Sequence, residues 1–98
     1  MLYDQLTYAR VTGSVFLRNE KGLLHTLSIG QISRNGYITI QDNNASAPTG
    51  SVGTMIYGPA SCSVGMAPVS LVFDTCYYTG LQVCYGNGLE GFFTLTYR

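Results

Sequence analysis

The chain has 98 residues, no net charge and only 10% Asp, Glu, Lys and Arg, against about 25% in an ordinary globular domain. That length predicts one domain, residues 1–98, with enough chain to bury a core without metal or disulfide staples. A neutral chain has no long-range pull toward nucleic acid or an anionic membrane, so neither is expected as a partner.

The few charges are also unevenly placed. Seven of the ten lie between Asp4 and Asp42, leaving only Asp74, Glu90 and Arg98 beyond them. Eight tyrosines and no tryptophan accompany this shortage. Tyrosine is enriched at protein interfaces and charge is depleted at their centres, so the composition suits a protein covered by partners.

Leu6 to Val11 and Ser14 to Leu17 alternate weakly around Thr12-Gly13, which predicts one bent strand or two short ones. Asn19-Glu20-Lys21-Gly22 reads as an exposed, charged turn. From Lys21 to Asp42 the alternation is strong, with Leu23, Leu27 and Ile29 on one face and Leu24, Thr26 and Ser28 on the other. Ile38 and Ile40 then alternate with Tyr37, Thr39 and Gln41. Asn35-Gly36 between the two runs predicts a tight hairpin, because these residues tolerate positive φ. Asp42 to Gly50 reads as a polar loop and Val52 to Tyr57 as a strand. Gly58 to Pro68 reads as a loop or edge excursion, because Gly and Pro stand at both ends. Val69 to Phe73 predicts a strand with Val69, Leu71 and Phe73 inward, and Thr75 to Gly80 turns the chain. Leu81 to Tyr85 and Phe92 to Tyr97 close the fold, placing Leu81, Val83 and Tyr85, then Phe93, Leu95 and Tyr97, on single faces. No window has a helical period. Seven or eight short strands with a turn every eight to twelve residues predict an all-β antiparallel sandwich or jelly roll.

Catalytic chemistry finds little support. His25 is the single histidine and stands among leucines, where a hydrogen-bonded packing role is the expectation; a general base needs a positioned partner. Asp42-Asn43-Asn44 supplies one carboxylate, too few for a hard cation, and reads as an Asx-rich turn. Gly86-Asn87-Gly88 lacks the Lys-Ser/Thr of a phosphate loop. Cys62, Cys76 and Cys84 have no CxxC spacing and an odd count, and read as reduced, small apolar residues of a protein assembled in the cytosol. The N-terminal MLYDQLTYAR lacks the apolar core of a signal peptide. No enzyme, metal or cofactor is expected.

Gly22-Leu23-Leu24-His25, Ile38-Thr39-Ile40-Gln41-Asp42, Gly80-Leu81-Gln82-Val83 and Leu95-Thr96-Tyr97-Arg98 follow one another in an order that resembles small all-β virion proteins of tailed bacteriophages. That resemblance implies a capsid decoration or cement protein on the capsid exterior, bound to the major capsid protein and to copies of itself as a homotrimer. Such a protein works through contact surfaces. The expected contact loops are Asn43 to Gly50, Gly58 to Pro68 and Thr75 to Gly80, with Met66, Tyr77 and Tyr78 as anchors. Adjacent Tyr77 and Tyr78 point to opposite faces when extended, so one lies outside the core; the alternative packs one inside and caps it with the other. A tail, fibre or neck component binding a receptor or glycan is the competing expectation, and a free-standing cellular β-module is the third.

Overall fold

The computed structural model describes residues 6–44 and 53–98, which form eight strands and no helix. They are β1 (Thr7–Val11), β2 (Val15–Arg18), β3 (Gly22–Arg34), β4 (Gly36–Asp42), β5 (Thr54–Cys62), β6 (Val69–Tyr77), β7 (Leu81–Gly86) and β8 (Glu90–Tyr97). One sheet runs β1-β8-β3-β6 and the other β2-β7-β4-β5. The antiparallel ladders nest: β1 with β8, β2 with β7, β3 with β6 and β4 with β5. A hairpin of four strand pairs rolled around itself produces this nesting, and its two four-stranded layers make the fold a jelly roll.

This topology corrects the hairpin expected around Asn35-Gly36. β3 pairs with β6 and β8, whereas β4 pairs with β5 and β7, so the chain crosses between sheets at that point. Asn35 and Gly36 do not take positive φ; Asn87 and Gly88, at the β7–β8 crossing, do. Instead the Asn35 side chain accepts a bond from the Val64 N–H at 2.8 Å and ties two crossings together. The Gly58 to Pro68 loop is also shorter than expected, because β5 continues to Cys62 and pairs Ala60 with Ile38 and Ser61 with Tyr37. β5 is an edge strand, where Pro59 deprives no neighbour of a donor. The expected polar loop beyond Asn44, and the start of the expected strand at Val52, lie outside the described residues.

Leu24, Leu27, Ile38, Ile40, Leu81, Val83, Phe93 and Leu95 are fully buried between the sheets. Each such side chain contributes roughly 1.5–3 kcal/mol relative to exposure. Leu24 belongs to this core although strict alternation assigns it to the outer face with Thr26. The register of β3 shifts between Leu24 and Thr26 against both its neighbours. Such an irregularity reverses the inside and outside positions beyond it, so Leu24 and Leu27 both turn inward. A second shift, between Ile29 and Ile32 against β8, does the same for that buried pair.

Two tyrosines anchor the core through their hydroxyls. Tyr85 on β7 crosses to the other sheet, its hydroxyl 3.0 Å from the Val11 carbonyl and 2.9 Å from that of Gly91. Its ring meets Phe93 edge-on at 5.5 Å, and burial pushes its phenol up to about 12. Tyr77 is fully buried and donates its hydroxyl proton to the Arg98 carbonyl at 2.7 Å.

Candidate interaction surface

Because the strands alternate in direction, the β2–β3 and β6–β7 connections and the end of β4 share one end of the sandwich. The β6–β7 corner, Tyr78 to Gly80, is the best-defined projection there. It is held by a carboxylate at the end of β4. Asp42 accepts bonds from the N–H groups of Tyr78 and Thr79 at 2.8 Å, from the Thr79 hydroxyl at 2.8 Å and from the Gly80 N–H at 3.3 Å. Partial burial raises the Asp42 pKa, but these bonds outweigh it and hold the carboxyl below its ordinary value. Charge-assisted bonds of this kind are about twice as strong as neutral ones. The Asn44 amide adds a bond to the Thr79 carbonyl at 2.7 Å, and that of Asn43 reaches Gln82 at 3.2 Å. The Asx-rich segment considered for a cation is thus engaged in fastening the corner.

Tyr78 stands on this corner with 76% of its surface exposed. Its backbone is fixed at its own N–H, so the ring projects from a rigid mount. Lys21, Leu23, Cys76 and Arg98 line a groove beside it, open to solvent and about 470 Å³ in volume. A rigidly mounted aromatic loses little freedom on docking, which is what makes tyrosine an effective contact anchor.

The three expected anchors do not form one patch. Tyr77 is a core residue, because its position on β6 turns the ring between the sheets, and it is corrected from contact anchor to structural staple. Met66 lies in the β5–β6 connection, at the other end of the sandwich, and packs partly against the core. Tyr78 alone of the three projects.

His25 lies at the register shift in β3, with its Nδ1 bonded to the Asp74 carboxylate on β6; Asp74 takes φ of 46° there. The Asp74 partnership was not visible in the sequence, where 49 residues separate the two. Cys62 is buried, Cys84 half-buried and Cys76 exposed, and none is in a disulfide. Burial raises the Cys62 and Cys84 thiols. The expectation of apolar packing suits Cys62; Cys76 sits instead on the groove. Among the described residues no three His, Cys, Asp or Glu side chains gather as a metal site.

Away from strand ends the sheets carry almost no charged side chains. β2, β4, β5 and β7 bring Phe16, Gln82, Gln41 and Met55 into one row by register, and Phe16 and Met55 are exposed. On the other sheet Arg10, His25 and Asp74 are the exceptions. Comparison with known proteins adds no assignment: no protein-family model, curated protein or solved structure matches the chain.

Proposed function

We propose that this chain is a structural protein of a virus particle, acting as a capsid decoration protein of the tailed-bacteriophage kind. Its task is to stabilise a shell by burying surface across joints between major capsid protein subunits, as a homotrimer on the capsid exterior. The observation that carries the proposal is Tyr78, an exposed aromatic on a corner clamped by Asp42, on a body whose sheets are nearly free of charge. The jelly roll is a fold that viral capsid domains use, which supports the reading. A docking protein of this kind needs a rigid body, uncharged contact faces and a few well-mounted anchors.

The test is the copy number of this chain in purified particles, measured by quantitative mass spectrometry. A stoichiometry comparable to the major shell protein supports decoration. A few copies per particle moves the chain to neck, tail or fibre, and absence from particles refutes the proposal. Sedimentation equilibrium of the isolated protein tests the trimer, which a monomeric mass at micromolar concentration overturns.

A further inference from the structure

Arg10 marks a second surface, on the outer face of the β1-β8-β3-β6 sheet. Ala9 and Val11 turn toward the core, so Tyr8 and Arg10 turn outward. Register sets Arg10 opposite Thr94, Thr94 opposite Ser28, and Ser28 opposite Ser70. One guanidinium and three hydroxyl side chains thereby form a row across all four strands. The Ser28 and Ser70 hydroxyls lie 3.0 Å apart, which places both on this face. Along β8 the Phe92 ring covers Gly30, where any Cβ would run into it. The Arg10 guanidinium lies over that ring, its Cζ 4.1 Å from the centroid. On the other side of the row stands Tyr8, 73% exposed.

Arg10 is therefore a positioned cation rather than a loose one. A guanidinium held over a ring still carries five N–H donors for a further partner. The ion pairs among the described residues join Arg18 to Glu20 and His25 to Asp74, and none takes Arg10. The same side chain borders a hollow of about 300 Å³ at the β1–β2 connection, with Thr12, Gly13 and Ser14 on its wall.

We propose that this face binds an acidic saccharide. The sugar carboxylate takes the Arg10 fork in two parallel hydrogen bonds, the geometry guanidinium and carboxylate share. The apolar side of a sugar ring rests against Tyr8, and further sugar hydroxyls meet Thr94, Ser28 and Ser70. A hydroxyl both donates and accepts, so this row matches a polyol in either sense. At about 4.8 Å between strands the row runs roughly 14 Å, the scale of an oligosaccharide rather than a single sugar. Serine is depleted in protein–protein interfaces, which favours a glycan over a polypeptide here. The site is separate from the Tyr78 corner, and its ligand requires nothing of the shell-binding reading.

Calorimetric titration of the whole chain with tri-galacturonic acid and with sialyllactose tests the proposal, with maltotriose as the neutral control. At least one acidic probe is expected to bind and maltotriose to give no heat. Arg10→Gln keeps a polar side chain at an exposed site and is expected to fold. It should weaken acidic binding by about tenfold or more, the loss of a charge-assisted pair. Tyr8→Ala should weaken it also, and Tyr78→Ala should leave it unchanged. Failure of both acidic probes at millimolar concentration overturns the proposal. So does equal affinity in wild type and in a folded Arg10→Gln protein. Displacement of the sugar by a poly-glutamate peptide of equal affinity overturns the saccharide assignment and gives the face to acidic polypeptides.

Discussion

Tyr77 and Tyr78 are neighbours of the same residue type with opposite surroundings. The inner side of the β6–β7 corner is Tyr77, fully buried and bonded through its hydroxyl to the Arg98 carbonyl. The outer side is Tyr78, whose ring is 76% exposed while its backbone N–H is held by Asp42. The inner ring and the carboxylate make the corner rigid; the outer ring is what a rigid corner has to offer. On the proposed reading, fold and contact are thus divided between adjacent residues, and substitutions separate them.

The largest effect belongs to the inner side. Tyr77→Ala removes a fully buried aromatic, and the expected loss is about 3–5 kcal/mol, read as a lowered urea midpoint with unchanged slope. Tyr77→Phe keeps the ring and loses one hydrogen bond, at about 1 kcal/mol. The smaller figure follows because the Arg98 carbonyl still accepts from the Leu23 N–H at 2.7 Å. If both substitutions cost the same, the ring is not the main inner contribution and the division proposed here fails.

Next comes the clamp. Asp42→Ala strands the Tyr78 and Thr79 N–H groups, although this exposed corner lets water replace part of what is lost. A destabilisation of about 1–3 kcal/mol is expected. Its pH dependence has a definite sign. The folded-state pKa of Asp42 is lowered, below the unfolded value of about 3.9, so the folded protein binds fewer protons there. The stabilisation is complete above the unfolded value and is lost as pH falls through the folded one. Thermal melts should therefore separate wild type from Asp42→Asn by a constant interval near neutrality and bring them together in acid. An interval that widens in acid contradicts the clamp.

Much of the framework was legible in the chain because buried strands announce themselves by alternation. Leu81 with Val83, and Phe93 with Leu95, turn inward as their spacing predicts. The Asn35-Gly36 hairpin was not legible, since a turn signal reports that the chain bends but not whether the next strand joins the same sheet. Nor was the inward turn of Leu24, which depends on a register shift set by β6 and β8 rather than by β3 itself. The Asp42 clamp spans 36 residues to Tyr78, and nothing local links the two. The Arg10 row did leave a trace. Phe92-Phe93 puts two adjacent aromatics in one strand, so one of the pair must face away from the core.

The smallest effect on stability, and the most informative on contact, belongs to Tyr78→Ala. An exposed side chain away from special backbone geometry costs within about 0.5 kcal/mol when truncated, so its urea curve should overlay the wild type. Attachment to shells, measured by co-sedimentation, should nevertheless weaken by about tenfold or more, as truncated aromatic anchors do. The pairing with Asp42→Ala gives this comparison its force. That variant retains the ring but loosens its mount, so it should weaken attachment by a smaller factor, through the freedom the ring must surrender on docking. Weakening by Tyr78→Ala alone makes the ring the anchor and the mount incidental. Weakening by both, with the ring the greater, makes preorganisation part of the contact. If neither changes attachment, the corner is only a well-made turn, and the contact surface has to be sought on the uncharged faces of the two sheets.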